Sequence, residues 1–402
     1  MIPDLSAAST YDAGPPHDTF ARLRRDDPVH WQEMDGQPGY WAVLRHADVI
    51  KVATHPRLFS AETGGVVLED LDEASLAGMR NMLLAMDPPR HFEHRRPLQP
   101  SFKPMAIGEL EGRIRRICRE IMQSVAGRDE VEFVHEMTAK LPSQVIGELM
   151  GLPEEDWSHI HRLSELNTSS QDPDVVGDDE RYASGGNASA EMAMYAIGFA
   201  MSRRAQPRRA DLTDLILHTE FGGRMMSDLD FGFFFVQLVT AGNDTTKTML
   251  SSGLLALLEH PEQLDTLRAD PSLIPGAIEE ILRWSPPLHY FRRTATADTD
   301  LLGVPIRAGE KVAMYYTSAN RDEAVFDDPD RFDIRRSPNP HLAFGFGEHH
   351  CLGIHLARLE GRVFFEELLA AFPTIELAGE PRRVHSNLNN GLRSLPVRWG
   401  AR

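Results

Sequence analysis

The sequence predicts a mainly α-helical fold with a minor β-sheet region, and three observations support this prediction. Residues 227–260 have the pattern of one long helix, in which Ser227 offers an N-cap and Asp230 follows three residues later. After Cys351, apolar residues recur at spacings of three and four, which define one face of a second helix. The stretch "GVPIRAGEKVAMYYT" at 303–317 alternates as strands do and supplies the sheet component.

The remaining elements follow in chain order. The stretch "PVHWQEMDGQPGYWAVL" indicates two short strands around a glycine-containing turn, and "HADVIKVATH" indicates a helix after them. Apolar residues at helical spacing predict helices at 105–125, 141–152 and 274–284, whereas the polar, turn-rich residues 168–187 predict a surface connection. Because no internal repeat or low-complexity linker divides the chain, we expect a single domain over residues 1–402.

The composition limits the classes of function. The formal net charge of −18 disfavours nucleic-acid binding, since phosphate repels such a chain. The longest apolar run, at 231–239, is far shorter than the roughly 20 residues that span a bilayer, and the N-terminus lacks a signal-peptide pattern. Two cysteines, Cys118 and Cys351, cannot form a disulfide framework. We therefore expect a cytoplasmic protein without a membrane anchor.

Cys351 lies in a glycine-rich loop, "HLAFGFGEHHCLG", directly before the last helix. Backbone N–H groups and the helix dipole stabilise a thiolate at such a position. Gly345, Gly347 and Gly353 allow the backbone to turn tightly around the sulfur. A thiolate held in this way is a candidate metal ligand or nucleophile, although a buried, inert cysteine beside a helix cap is the commoner situation.

Two other uses of this cysteine are weaker. A zinc site would have to draw on four neighbouring residues, and consecutive side chains can hardly all face one ion. The four are His349, His350, Cys351 and His355. A nucleophilic Cys–His pair is unsupported, because no feature of the sequence indicates which histidine would serve as the base.

The run "FGFGEHHCLG", from Phe344 to Gly353, matches the haem-ligand signature of the cytochrome P-450 family position by position. The chain resembles this family from about residue 28 to its end. The resemblance implies a cytochrome P-450-like fold with haem b (iron protoporphyrin IX) between the long central helix and the cysteine-loop helix. It further implies that the Cys351 thiolate ligates the iron, with Phe344 and Gly345 beside the haem.

The long helix carries "AGNDTT" at 241–246 between two apolar stretches. A polar turn of this kind either faces solvent at a kink or lies beside a ligand within a buried helix. It resembles the oxygen-activating motif of the family. This resemblance places Asp244 and Thr245 at the catalytic acid and alcohol positions, which manage proton delivery.

The segment "EEILR" places Glu280 and Arg283 on one helix face, where an ion pair between them would be unremarkable. The segment resembles the family's Glu-x-x-Arg pair, which is structural and locks the core behind the haem.

"MDPPRHFEHRR" contains His91 and Arg95 at helical i, i+4 spacing, which by itself is typical of a solvated basic face. The resemblance assigns these two residues, together with Arg293 and His349, to the haem propionates. Cationic side chains around two carboxylates form charge-assisted hydrogen bonds. Pro97 is expected to shorten or kink the helix that carries Arg95.

The family resemblance also implies a set of substrate-pocket residues, most of them apolar, which favours a lipophilic molecule such as a steroid, a terpenoid or a fatty-acid-like chain. They are Val239, Ala241, Gly242, Leu288, His289, Tyr290 and Leu388. His289 and Tyr290 would equally suit a more polar natural-product intermediate, so an oxidative tailoring enzyme is the alternative. The least supported alternatives are a non-catalytic haem sensor and a peroxide-driven peroxygenase.

By the same resemblance, the activity is that of a monooxygenase, an oxidoreductase acting on paired donors with incorporation of molecular oxygen. The chain has no room for its own flavin or iron–sulfur module. A ferredoxin and a ferredoxin reductase are therefore the expected electron donors. A local basic patch near the thiolate, including Arg96 and Arg358, is the expected docking site.

Overall fold

The computed structural model describes residues 2–177, 182 and 186–399. Its α-helices are α1 (His17–Asp26), α2 (His46–Ala53), α3 (Glu73–Met79), α4 (Arg90–Arg95), α5 (Pro104–Gly108), α6 (Glu111–Val125), α7 (Lys140–Met150), α8 (Trp157–Thr168), α9 (Pro173–Val176), α10 (Gly186–Arg204), α11 (Leu212–Leu217), α12 (Asp228–Glu259), α13 (Pro261–Ala269), α14 (Ile274–Trp284), α15 (Tyr316–Ala319) and α16 (Ile354–Ala371). A π-helical turn, Val134–Thr138, precedes α7.

The strands are short and form several small sheets. They are β1 (Val29–Met34), β2 (Gln37–Val43), β3 (Phe59–Ser60), β4 (Glu130–Glu132), β5 (Glu220–Phe221), β6 (Arg224–Met225), β7 (Tyr290–Ala295), β8 (Thr299–Leu301), β9 (Val304–Ile306), β10 (Lys311–Tyr315), β11 (Ile375–Leu377), β12 (Arg382–Arg383), β13 (Leu392–Ser394) and β14 (Pro396–Trp399). The largest sheet has the order β1-β2-β10-β7-β3, in which only the β2–β10 pair is parallel. The predicted mainly α-helical fold with a minor sheet region is confirmed.

The long helix α12 is the central element of the helical part. Ser227 caps it by accepting a hydrogen bond from the backbone N–H of Asp230, as the sequence predicts. It packs against α7, α8, α10, α14 and α16. Because α12 has neighbours on most sides, its residues are buried along nearly its whole length.

Several helix boundaries lie at or near a glycine or a proline, and two of them, at Gly108 and Gly151, differ from the predicted bounds. The predicted helix at 105–125 is divided into α5 and α6, since α5 ends at Gly108, a poor helix former. Helix α7 ends before Gly151, whose left-handed φ of +66° closes the helix terminus. Helix α4 ends at Arg95, two residues before Pro97, as predicted.

The predicted surface connection at 168–187 includes the one-turn helix α9. Part of this connection, residues 178–181 and 183–185, lies outside the described residues. Among the helices that the structure describes, none combines the length and the apolar character needed to cross a lipid bilayer.

Candidate functional site

The cysteine loop is closed by one backbone hydrogen bond, in which the N–H of Cys351 donates to the carbonyl oxygen of Phe344 at 2.9 Å. Gly345 and Gly347 both have left-handed φ angles, of +67° and +71°. A Cβ atom on Gly347 would also lie 2.6 Å from the backbone oxygen of Ala53 on α2, so only glycine fits there. The loop therefore holds Cys351 three residues before the start of α16.

The Cys351 thiol is subject to opposing influences. Burial raises its pKa above the ordinary value, while a hydrogen bond from the backbone N–H of Gly353 and the charges of Arg95 and Arg358 act in the other direction. Arg358 lies over the ring of Phe344, 5.1 Å from its centroid, and so belongs to the same surroundings. One N–H donor and two nearby cations favour the thiolate form of Cys351, which is the form that ligates a metal.

Four basic side chains, His91, Arg95, Arg293 and His349, form what we call the cation cluster. The rings of His91 and His349 are 4.2 Å apart. Burial, reinforced by the charges of Arg95 and Arg293, lowers the pKa of His91 to about 4 and that of His349 to about 2. Burial likewise lowers the pKa of Arg95 and of Arg293. The sequence proposed these four residues as one group, and the structure brings them together.

The cation cluster lacks the anions that buried cations normally need. Among the described residues, no carboxylate forms an ion pair with Arg95 or Arg293, although the charge of Asp87 acts on Arg293 from a longer distance. Nε2 of His349 is buried without a hydrogen-bond partner. Arg293 donates only to the carbonyl oxygen of Arg292, at 2.8 Å. The two guanidinium groups are costly to withdraw from water in this state unless an anion joins them. The two propionates of a haem beside Cys351 fit this requirement.

Part of α12 faces open space although the helix as a whole is buried. Ala241 is exposed and both Gly242 and Thr245 are half-buried, while Val239 and Asn243 are buried on the other side of the helix. The hydroxyl of Thr245 donates to the carbonyl oxygen of Ala241 at 2.6 Å. Solvent-accessible space, which we call the cavity, therefore adjoins this turn of α12, and Thr245 lies at its edge.

Asp244 points away from this cavity, toward α8. Its carboxylate accepts hydrogen bonds from the hydroxyl groups of Thr168 and, at 3.5 Å, Ser164. The Nζ atom of Lys247 lies 2.9 Å from Asp244 and 3.3 Å from Glu165. The structure thus separates the predicted acid and alcohol onto neighbouring faces of one helix.

The sequence analysis missed Lys247, Glu165 and Thr168. One sequence signal for Lys247 was available. Lys247 directly follows "NDTT" in a helix whose apolar flanks predict burial, and a buried lysine requires an anionic partner. No sequence signal identified the partners, which come from α8.

Glu280 and Arg283 form a buried bidentate ion pair, with both N···O distances 2.7 Å and both side chains fully inaccessible. Arg283 also donates to the carbonyl oxygens of Asn320, Pro329 and Arg331. The sequence analysis missed Arg336, whose Nε lies 3.2 Å from both Glu280 oxygens. We call Glu280, Arg283 and Arg336 the paired cluster.

The residues predicted for a substrate pocket divide into two groups. Ala241, Gly242, Leu288 and Leu388 are at least partly accessible, whereas the other three, Val239, His289 and Tyr290, are fully buried. The structure therefore does not bring these three to the cavity.

The buried three have partners or neighbours of their own. His289 stacks on Tyr11 at 4.2 Å and shares a 3.0 Å hydrogen bond with Thr317, and burial lowers its pKa to about 3. The hydroxyl of Tyr290 donates to Asn387. Val239 lies on the far side of α12 because one residue turns the helix by about 100°.

The zinc alternative has no structural support. Across residues 2–177, 182 and 186–399, no group of three His, Cys, Asp or Glu side chains is arranged to hold a metal ion. The histidines next to Cys351 therefore do not complete a four-ligand site with it.

Comparisons with known proteins agree with this geometry. The family model described as cytochrome P-450 matches residues 192–392. The chain is 35% identical to linalool 8-monooxygenase from Pseudomonas putida, over 98% of each chain. It is 36% identical to the methyl-branched lipid omega-hydroxylase of Mycobacterium tuberculosis, over 94% of this chain and 90% of that one.

Among solved structures, the chain resembles a Mycobacterium marinum cytochrome P-450 in complex with pseudoionone, with a TM-score of 0.92, 36% identity and 98% of each chain covered. A cytochrome P-450 from Novosphingobium aromaticivorans has a TM-score of 0.88 and 32% identity, with complete coverage of both chains. These matches extend well beyond the cysteine loop that carried the sequence resemblance. The chain therefore belongs to the cytochrome P-450 family and is a monooxygenase whose cofactor is haem b.

Proposed function

We propose that this monooxygenase hydroxylates a lipophilic small molecule of the terpenoid, steroid or fatty-acid-like class. The observation that carries the proposal is the unpaired cation cluster beside Cys351, together with the cavity-facing turn of α12. The accessible members of the predicted pocket, Ala241, Gly242, Leu288 and Leu388, are all apolar or glycine. The names of two relatives, linalool 8-monooxygenase and methyl-branched lipid omega-hydroxylase, support the same class.

The alternative of a more polar natural product has less support. It depended on His289 and Tyr290 as hydrogen-bonding groups toward the substrate. Both side chains are buried, and their polar atoms already bond to Thr317 and Asn387. Since buried polar groups keep such partners, neither is free to recognise a ligand.

In the proposed mechanism, Cys351 would hold the iron of a bound haem, the cation cluster would hold its propionates, and Phe344 and Gly345 would belong to the same cofactor site. The bound haem supplies the activation of molecular oxygen. The protein positions the substrate, excludes water from the cavity and moves protons. Thr245 presents its hydroxyl at the cavity wall, and Asp244 lies one residue earlier on α12 with its carboxylate hydrogen-bonded to Thr168 of α8.

The experiment that tests this function is an absorption spectrum of the reduced protein under carbon monoxide. We expect the strongly red-shifted Soret band of thiolate-ligated haem in the wild type and its loss in Cys351→His. The same preparation should turn over terpenoid or fatty-acid substrates with a ferredoxin system and only weakly with peroxide. Haem binding without any turnover would instead support the sensor alternative. A histidine-type band in the wild type would contradict the role of Cys351.

Replacement of Thr245 by alanine tests the proton-handling role. We expect Thr245→Ala to keep haem and substrate binding but to release most of the electrons as hydrogen peroxide, because the cavity loses the hydroxyl group at its edge. The measurement is the ratio of product to electron donor consumed, with Thr246→Ala as the control, since Thr246 is buried facing Glu360. Equal coupling in Thr245→Ala and the wild type would contradict the assignment.

For the electron donor we propose an acidic ferredoxin, supplied by a ferredoxin reductase, that docks near Arg96. Arg96 is exposed directly after α4, which carries two members of the cation cluster. The exposed apolar side chains Phe92 and Phe346 lie on α4 and in the cysteine loop. Arg358 is held by Glu279 through two hydrogen bonds of 2.8 and 2.7 Å and contributes less free charge. A cytoplasmic location fits this partner.

Charge reversal at Arg96 tests the docking site. Arg96→Glu should slow electron transfer about tenfold at low ionic strength, and added salt should reduce the difference because exposed charges are screened. The rate of haem reduction at several salt concentrations measures this, with Arg398→Glu as a control at an exposed arginine of β14. An unchanged rate at low salt would exclude Arg96 from the docking site.

A further inference from the structure

Helix α10 carries apolar side chains on its outer side as well as on its inner side. The inner side packs against α8 and α12, and its buried residues include Ala188, Met192, Ala196 and Ala200. On the outer side, Met194 and Met201 are 67% and 61% exposed. A helix that is apolar all round is normally buried all round, because apolar surface in water is unfavourable. The outer side of α10 therefore lacks a partner within the described part of the chain.

The exposed residues of α10 form one narrow line. Glu191, Met194, Gly198 and Met201 follow each other at spacings of three, four and three residues, and all four are exposed. Alternating spacings of three and four are typical of the seam between two packed helices. The outer side of α10 thus has the pattern of a helix that packs against another helix.

Gly198 is the least expected member of this line. Its φ lies outside the left-handed region, and a Cβ atom at this position would meet no atom within 4 Å. Glycine is among the least favourable residues in the middle of a helix. Neither the backbone nor the packing of this chain requires glycine here, whereas a second backbone could approach closely at this point.

The two ends of the line carry opposite charges. Glu191 lies at the N-terminal end, where it accepts a hydrogen bond from the Tyr182 hydroxyl and lies 3.4 Å from His159. It has no lysine or arginine partner among the described residues. Arg208 follows the C-terminal end of α10, is exposed and forms no ion pair with any described residue. The outer side of α10 is therefore acidic at one end, apolar in the middle and basic at the other end.

We propose that the outer side of α10 packs against the same side of a second copy of this chain, in an antiparallel contact with two-fold symmetry. Such a contact is self-complementary, because each residue meets a different residue of the same surface. Glu191 of each copy meets Arg208 of the other. Met194 meets Met201, and Gly198 meets its own equivalent at the two-fold axis.

Other occupants of this surface fit less well. Anionic lipid headgroups repel a chain with a net charge of −18, and the acidic end of the line would face them without a cation. A partner protein of one charge would match only one end. A second copy matches both ends at once.

The size of the surface indicates a weak dimer. Helix α10 has 19 residues and is about 28 Å long. Met225 and Leu229 are 45% and 56% exposed, and they extend the apolar area because Arg204 of α10 bonds to their chain neighbours Met226 and Asp228. One helix pair of this length lies at the low end of specific interface sizes.

Sedimentation velocity of the haem-loaded protein tests the contact. From about 1 to 500 μM we expect a monomer–dimer equilibrium with a Kd on the order of 10–100 μM. Gly198→Glu places two like charges at the two-fold axis and should weaken dimerisation about tenfold or more. Its melting temperature at the low end of this concentration range should equal or exceed that of the wild type, because glutamate favours a helix more than glycine does.

The control for Gly198→Glu is Met105→Glu, which adds the same charge on α5. Met105 is 83% exposed, more than any other large apolar side chain in the described part of the chain. Met105→Glu should leave dimerisation unchanged. An equal loss in both variants would overturn the proposal, because any added negative charge would then suffice.

Charge reversal tests the antiparallel arrangement. Glu191→Lys and Arg208→Glu each bring like charges together at both ends of the contact, and each should weaken dimerisation about tenfold. The double variant restores opposite charges and should return to within about twofold of the wild-type Kd. This recovery requires that the surface meets its own copy, with the two ends exchanged.

Three results would overturn the proposal. They are a wild-type monomer over the whole concentration range, dimerisation that Gly198→Glu leaves unchanged, and a double charge variant that fails to recover. A monomer that binds vesicles of phosphatidylcholine and phosphatidylglycerol, and loses this binding in Gly198→Glu, would assign the surface to lipid instead. The outcome is independent of the substrate and of the electron donor, so it is read separately from the proposed function.

Discussion

The paired cluster and the cation cluster both contain arginines withdrawn from solvent, but they differ in whether those arginines have carboxylate partners. In the paired cluster, all three guanidinium nitrogens of Arg283 donate hydrogen bonds, and both Glu280 oxygens accept them. In the cation cluster, Arg293 is buried and Arg95 is half-buried, and neither forms an ion pair with a carboxylate among the described residues. Burial lowers the pKa of these two arginines.

The difference shows which charges serve the fold and which serve a ligand. A buried charge that is paired within the chain stabilises one arrangement of segments, because removing either partner leaves the other uncompensated. A buried cation without an internal partner weakens the fold on its own and strengthens the binding of an anion. The cation cluster is therefore the part of the interior whose stability depends on the cofactor.

Breaking the paired cluster should have the largest effect. Arg283→Met leaves Glu280 buried with only part of its hydrogen bonds and should lower the free energy of unfolding by about 3–5 kcal/mol. Denaturant unfolding of the haem-loaded protein measures this loss. The control is Arg398→Met in the exposed Arg398–Glu376 pair, where the expected cost is below about 1 kcal/mol. Similar losses in the two variants would show that the paired cluster contributes no more than a surface ion pair.

The same contrast separates what the sequence could predict from what it could not. Helix α12 was predictable almost to the residue because its cap, Ser227, acts on a neighbour three positions away. The Glu280–Arg283 spacing was visible as well, but Arg336 joins the pair from more than fifty residues further along the chain. Such partners leave no local pattern in a single sequence.

The residues of the site were predictable from sequence motifs, but the direction in which each side chain points was not. The cation cluster was proposed from family resemblance, and the structure brings its four members together. The side on which a residue lies is a finer property. Val239 and Tyr290 are next to accessible or half-buried residues, yet both are buried, because one step along a helix or a strand changes the face.

Within β7, two adjacent arginines give a direct test of the cation cluster. Arg293→Met should accelerate haem loss to an acceptor protein on the order of tenfold or more, because a charge-assisted hydrogen bond to a propionate contributes about 1.5–3 kcal/mol. The adjacent Arg292→Met is the control, since Arg292 already pairs with Asp70 at 3.0 Å. It should lower stability without changing haem loss. Equal haem loss in both variants would exclude Arg293 from the propionate site.

Glu360 on α16 is a buried ionisable group that belongs to neither cluster. It is 3% exposed and accepts a single hydrogen bond, from the hydroxyl of Thr246 at 3.5 Å. Burial raises its pKa from the ordinary 4.5 to about 8. A folded-state pKa above the unfolded value means that the folded protein binds the proton more tightly. The protonated Glu360 carboxyl therefore contributes stability that is fully present below pH 4.5 and is lost as the pH rises from 4.5 to about 8.

Glu360→Gln keeps the neutral shape and removes this titration. Relative to Glu360→Gln, the wild type should lose about 1 kcal/mol of unfolding free energy between pH 7 and pH 8.5, and the difference should level off at higher pH once the folded protein has released the proton. Denaturant unfolding at a series of pH values measures this, with Glu376→Gln on the surface as the control. Parallel curves for the wild type and Glu360→Gln would mean that Glu360 does not release a proton from the folded protein between pH 7 and pH 8.5. The lack of a charged partner in the structure would then no longer show that a buried group is unpaired in solution, and the contrast between the two clusters would lose this support.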